Sequence, residues 1–516
     1  MLIRVSNRNE NNLYRNTSAK SGKNIISIYA PEALWGEPYK VYTQEEWNAD
    51  DCDPITEGRD FDFSKPFFEQ FADLSKAVPH MAVVTISNEN SDYTTGTGFC
   101  KNCYLINSSE NCEDCYYGKL YQNCSDVMDC AYMYDCELCY GCFSLHKCTR
   151  CTYVAFSKNS HECLFSSNLQ GCKNCCFCTN LTQKEYHFRN EPLSKEEYEK
   201  EVKSMLGSHA AFETAKREWH ERMQGKIWKY ANIVDSENCT GDYIEHSKNC
   251  IDCYDMTDSQ DCRCVQVGVN TKDVYHCSNM YLKPELCYET LGTIEAYNCA
   301  YCLYVFYCQN MLYSEHCYYC SNCFGCSGLR RKQYCIFNTQ YTKEDYEKLV
   351  PKIIARMEES GEWGLFFPKE FSSFGYNESV AQEYAPLTEK DALARGFHWR
   401  EQHDETPQVS RTVQANELPD RIADVPDDIL DWAVTCEKTG RPFRILKPEL
   451  AFYRNQQIPL PHLHPAVRYE ERMKLRNPRK LWQRECQHCG KEIHTTYASE
   501  RPEIVYCEEC YRKEVY

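Results

Sequence analysis

From Cys100 the chain divides without a gap into seven twelve-residue units: CKNCYLINSSEN, CEDCYYGKLYQN, CSDVMDCAYMYD, CELCYGCFSLHK, CTRCTYVAFSKN, SHECLFSSNLQG and CKNCCFCTNLTQ. Position 1 of successive units reads Cys100, Cys112, Cys124, Cys136, Cys148, Ser160 and Cys172; position 4 reads Cys103, Cys115, Val127, Cys139, Cys151, Cys163 and Cys175. Units of this kind cannot each bury a face alone, so they must stack. The expected object is a β-solenoid with one coil per unit and about 4.8 Å between coils. A coil of twelve residues has a perimeter of roughly 40 Å, too narrow for a large side chain in every inward column. Cysteine is small and buries readily. The apolar period is 3 rather than the 2 of a plain strand, so the coil must turn often and its strands must be short.

The period returns with one slip. Cys250 and Cys262 are twelve apart, and after one extra residue the phase resumes at Cys287, Cys299, Met311, Cys323 and Cys335. Both arrays end alike: CKNCCFC then SKEEYEK (Ser194 to Lys200) parallels CSNCFGC then TKEDYEK (Thr342 to Lys348). The chain thus contains a duplication, and Ser194 with Glu197 and Thr342 with Asp345 have the spacing of helix N-caps. Of the 37 cysteines, 16 lie in the first array and 15 between Cys239 and Cys335. Three readings of these thiols stand. Packing is favoured, because the columns accept Ser160, Val127, Ile106 and Met311, which fill space but break a ligand set. CxxC pairs on adjacent coils could instead bind zinc or an iron–sulfur cluster, or oxidise to disulfides, which a cytoplasmic thiol pool would oppose.

The sharpest chemical signal is C-terminal. CQHCGKEIHTTYASERPEIVYCEEC sets Cys486, Cys489, Cys507 and Cys510 as two CxxC pairs with seventeen residues between them. Four thiolates close a tetrahedron around one structural zinc and leave no position for a reactive water. The N-terminus reads as a worn copy of this module, with Ser18, Ser21, Thr43 and Glu46 in the four ligand positions. A third relative begins at Cys436 and keeps only that cysteine and His464 or His462. Both copies are expected to fold without metal.

The fold class expected is therefore mainly β: two cysteine-rich, solenoid-like arrays of 12-residue coils, helical connectors, and treble-clef or zinc-ribbon modules at the ends. The expected boundaries are a metal-less finger-like module at 1–57, a linker or cap at 58–97, the first array at 98–183 and a helical connector at 184–236. The second array follows at 237–340, then a helical and irregular linker at 341–425, a degenerate finger-like module at 426–472 and the zinc module at 473–516.

A formal charge of -18 argues against general binding to nucleic acid or anionic membranes. Only Lys474, Arg476, Arg479 and Lys480, beside the zinc module, form a basic cluster that could grip phosphate. No apolar run reaches eighteen residues and the start lacks a signal-peptide core, so a cytoplasmic protein is expected. No Ser/His/Asp or Cys/His arrangement stands out, which favours a non-enzymatic chain. The expectation is a zinc-binding scaffold with a protein partner, presenting Tyr104, Tyr116 and Tyr140 along the first array. The alternatives are nucleic-acid binding through the basic cluster and metal or redox storage by the thiols.

The motifs GRDFDFSKPFFEQF (Gly58 to Phe71), ENSDYT (Glu89 to Thr94), GDYIEHSKNC, GLRRKQYCIFN, GEWGLFFP, VAQEYAPLT, ELAFY and VYCEECY cover nearly the whole length. On them the chain resembles a family of cysteine-rich proteins of small, uncultivated bacteria that contain zinc-ribbon or treble-clef modules. The resemblance implies the module layout and no activity. Members are sometimes labelled CoA-transferases of the CaiB/BaiF type; that chemistry uses an aspartate nucleophile in an α/β fold. This chain shows neither alternating strands and helices nor a Gly-rich nucleotide turn.

Overall fold

A computed structural model describes residues 2–276, 278–281, 291–294, 298–401 and 407–515. The fold is sheet-rich. By internal contacts it forms two compact units: residues 1–84 and 229–400 belong to one, and 85–228 and 401–477 to the other. The C-terminal stretch from Pro478 is divided between them.

In the first array the strands pair in parallel with partners twelve residues on. Tyr104 lies beside Tyr116, Ala131 beside Lys119 and Phe143, and Thr152 beside Leu164. What lets so short a unit close is a residue in the left-handed region at every third position. Asn102, Leu105, Ser108 and Asn111 have φ of 54°, 49°, 50° and 54°, and the series continues to Arg189, with Gly141 and Gly171 taking their places in it. Each such corner costs a non-glycine residue about 1 kcal/mol, least for Asn and Asp. The residue after each corner points inward. The inward set, from Cys100 through Tyr121, Val127, Met133, Leu145 and Leu169 to Cys178, forms one buried cluster.

Inward thiols are not left unsatisfied. Cys103 Sγ donates to the Lys101 carbonyl two residues back (3.3 Å) and approaches the Cys112 carbonyl of the next unit (3.6 Å); Cys112, Cys115, Cys142 and Cys151 repeat the pattern. Serine fits the same place: Ser160 Oγ donates to the Lys158 carbonyl (3.0 Å) and accepts from Cys172 N–H (3.2 Å).

Pairing starts earlier than residue 98, with Thr85 beside Thr97. The first rung holds no cysteine. Asn88, Ser91, Thr94 and Thr97 take the inward places and bond one another and the next rung, as in Asn88 to Thr97 (2.7 Å) and Cys103 N–H to Ser91 (2.9 Å). In the second array the offset is eleven from Ile233 to Ile244, twelve from Gly241 to Cys253, and thirteen from Ser278 to Leu291, where the slip falls. Cys287 lies outside the described residues.

Both arrays end in the same device. His187 and Phe188 turn through Arg189 and Asn190 (φ 54° and 70°) to pair antiparallel with Glu191 and Pro192; Cys335 and Ile336 turn through Phe337 and Asn338 (φ 47° and 61°) to Thr339 and Gln340. These are two-residue turns of the type that suits right-twisted strands. Asn190 then bonds both backbone groups of Thr179 (2.8 and 3.0 Å), and Asn338 both of Ser327 (3.0 and 2.8 Å). Capped helices follow, Lys195–Leu206 after Ser194 with a full capping box and Lys343–Glu359 after Thr342.

The outer tyrosines are a correction. Tyr116 and Tyr140 are buried, and Tyr104 is half-buried. Tyr140 packs against Phe212, Phe452 and Tyr453, because the helix His209–Gly225 and the segment 413–467 cover that face of the first array. Among the described residues no helix is long and apolar enough to cross a membrane.

Candidate metal centre

The C-terminal module begins as an antiparallel hairpin, Trp482–Glu485 against Glu492–Thr495, closed by the CQHCGK loop. Cys486 N–H donates to the Lys491 carbonyl (2.8 Å) and Gly490 N–H to the Cys486 carbonyl (2.9 Å). The loop needs a left-handed residue at Gly490 (φ 73°), which glycine supplies without strain. Strand Ile504–Tyr506 then delivers Cys507 to the start of the helix Glu508–Val515, and Cys510 follows on its first turn. The partial positive charge at that helix start favours thiolates.

The four sulfurs lie within 4.8 Å of one another. A zinc ion with bonds of about 2.3 Å sets tetrahedral sulfurs about 3.8 Å apart, so the quartet fits with little movement. Cys486, Cys507 and Cys510 are buried and Cys489 is exposed. These are the only residues among those described that gather three or more such groups this closely. The group can hold a metal ion; thiolate sulfur in a closed set of four is the chemistry of a structural site.

The two copies share the loop and lack the ligand set. At the N-terminus Ser18 N–H meets the Lys23 carbonyl (2.8 Å) and Gly22 N–H the Ser18 carbonyl (2.9 Å), with Gly22 at φ 72°. In the middle copy Cys436 N–H meets Arg441 and Gly440 N–H meets Cys436 (both 2.9 Å), with Gly440 at φ 71°. Each loop is followed by a helix that starts at the third ligand position, after Thr43 and after His464. In the N-terminal copy a carboxylate sits where a metal would. Glu46 accepts from Ser18 Oγ (2.5 Å) and Thr43 N–H (3.0 Å), while its own N–H bonds Thr43 Oγ1 (3.1 Å). Partial burial opposes the charge, but hydrogen bonds from Ser18, Ser21 and Thr43 hold the carboxyl down to about 2.

In the middle copy the four places fall to Cys436, Thr439, His464 and Val467. His464 Nδ1 accepts Ala466 N–H (3.1 Å) as a helix cap, and His462 bonds Glu437 (2.6 Å) and stacks on His209. Neither histidine joins Cys436 in a closed set.

The basic residues are not equally available to a ligand. Arg479 is 6% exposed, ion-paired to Asp255 (2.6 Å), bonded to Gln266 (3.1 Å) and stacked 3.7 Å over the Tyr384 ring. Arg476 lies half-buried 4.2 Å over Tyr132. Only Lys474 and Lys480 are exposed, and Lys480 leans on Trp482. A buried guanidinium committed to a carboxylate is not available to phosphate.

In comparisons with known proteins, no family model matches this chain and no curated protein matches it.

Proposed function

We propose that this protein is a non-enzymatic scaffold: two β-solenoid arrays packed by reduced cysteine, and a C-terminal module folded around one structural zinc. The observation that carries the reading is the Cys486, Cys489, Cys507 and Cys510 quartet, with sulfurs within 4.8 Å of one another. The array thiols support it in a second way. They donate to carbonyls of their own and the next unit, and serine replaces them there without loss of partners, as packing groups do and ligands do not. A cytoplasmic setting and a protein partner belong to this proposal, as does kinship with the cysteine-rich bacterial family.

Metal analysis of protein purified without chelator tests the reading. The expected content is about one zinc per chain. Several equivalents of metal, or visible iron–sulfur absorption, would assign the arrays to metal storage instead.

A further inference from the structure

The two arrays begin differently. In the first, the opening rung holds Asn88, Ser91, Thr94 and Thr97 and no thiol. In the second, the corners at Asp235 and Asn238 (φ 45° and 53°) are followed by Ser236 and Cys239 in the inward places of the opening rung. Its strand Ile233–Val234 pairs with Ile244 and Glu245 on one side, and among the described residues no strand pairs with it on the other. Cys239 is half-buried, whereas every other inward thiol among the described residues is buried. Cys264, the other half-buried cysteine of this array, stands at a corner (φ 55°), outside the inward columns.

The next rung sets a second thiol beside Cys239. Thr240 N–H donates to the Cys250 carbonyl (2.8 Å) and Cys253 N–H to the Thr240 carbonyl (3.0 Å), so the two rungs are bonded side by side at this place. Cys250 lies eleven residues after Cys239, the offset that also relates Ile244 to Ile233, and it follows a corner at Asn249 (φ 53°) as Cys239 follows Asn238. Cys239 Sγ donates to the Glu237 carbonyl (3.3 Å) and approaches Ser247 of the next rung (3.5 Å); Cys250 Sγ makes the same two contacts one rung on, with Lys248 (3.5 Å) and Ser259 (3.7 Å). The thiols follow one column, and rungs about 4.8 Å apart fall inside the Cα range that a disulfide spans. Other thiol pairs share that spacing, but they are buried between rungs; Cys239 alone ends its column where solvent reaches.

We propose that Cys239 and Cys250 form a redox site, in which a peroxide oxidises Cys239 and Cys250 resolves it to a disulfide. The Cys239 sulfur attacks one peroxide oxygen, the O–O bond breaks, and the departing hydroxide takes the thiol proton and leaves as water. The Cys250 sulfur then attacks the Cys239 sulfur; the S–O bond breaks, and the hydroxyl leaves as a second water with the Cys250 proton. Two thiols are oxidised and one hydrogen peroxide is reduced to two waters. The remaining inward thiols keep their packing role, so this pair stands or falls apart from the metal content of the chain.

The full chain is treated with hydrogen peroxide, alkylated, digested with trypsin and mapped by mass spectrometry. Cleavage after Lys229, Lys248 and Arg263 puts the two thiols on separate peptides, 230–248 and 249–263. The expected product is a reducible link between Cys239 and Cys250. Cys239→Ser should lower oxidation of Cys250 about tenfold or more, and Cys250→Ser should leave Cys239 as a sulfenic acid that dimedone traps. Serine already fills inward places at Ser236 and Ser247, so both variants should fold. Cys239 left reduced, a link from Cys239 to a different cysteine, or unchanged oxidation of Cys250 in Cys239→Ser would each overturn the proposal.

Discussion

Replacing Glu46 by alanine should open the N-terminal module while leaving the C-terminal one closed. Glu46 is the acceptor around which the loop and helix of that copy are organised, through Ser18 Oγ at 2.5 Å, Thr43 N–H at 3.0 Å and the Ser21 hydroxyl. At a partly exposed site each of these charge-assisted bonds contributes about 1 kcal/mol, so the variant should lose about 3 kcal/mol of local stability. That corresponds to a protection loss of roughly a hundredfold. Hydrogen exchange read by mass spectrometry over residues 14–48 measures it. The sign with pH follows from the carboxyl being held near 2 against an ordinary 4.5. The stabilisation is complete above the ordinary value and disappears as pH falls from there toward 2, so variant and parent should converge at the acid end. A chelator supplies the contrast: it should expose residues 482–515 and leave 14–48 protected. Unchanged protection of the Ser18 to Lys23 loop in Glu46→Ala, or a chelator effect on both modules, would refute the idea that a carboxylate has replaced a metal.

Cys507→Ser should abolish metal binding at the quartet and melt the C-terminal module, since in zinc-finger peptides metal binding supplies on the order of 10 kcal/mol; limited proteolysis should find both arrays still resistant. Cys124→Ser should cost only about 1 kcal/mol, because a hydroxyl in that column finds the carbonyl and N–H that Ser160 finds; urea midpoints of the two proteins test this. Burial, reinforced by the neighbouring His80, holds the His316 imidazole down to about 3. The unfolded chain gains a proton near pH 6.5 that the folded one refuses, so stability falls as pH drops from 6.5 toward 3, by roughly 2–3 kcal/mol at pH 4. His316→Gln should flatten that part of the pH–stability curve.

What the sequence made legible was whatever repeats locally. The twelve-residue period, the two helix caps at Ser194 and Thr342, the cysteine quartet and the faded copy at Ser18 all lie in short spacings. The left-handed corners were present as a signal in Asn102, Asn111, Asp114, Asn123, Asp126, Asp129 and Asp135, one set of residues tolerant of that backbone. Leu105, Tyr117 and Leu120 stand in the same series and hide it. The rung before Cys100 carries no cysteine signal, because Ser91, Thr94 and Thr97 do the inward work that cysteine does elsewhere. Long-range partners left no local trace: nothing near Arg479 announces Asp255, and nothing near Tyr140 announces Tyr453.

The asparagine that closes each array carries a consequence for how such a chain survives at high concentration. A ladder whose every rung resembles the last has no length written into its contacts, and its final rung is a template for any strand that arrives. Asn190 and Asn338 answer both backbone groups of Thr179 and Ser327 with one side-chain amide, imitating the rung that would come next. Growth is therefore refused by a counterfeit of the chain itself. Changing Asn190, the exposed one of the two, to leucine would leave both backbone groups of Thr179 without that partner and open the end of the first ladder to an arriving strand.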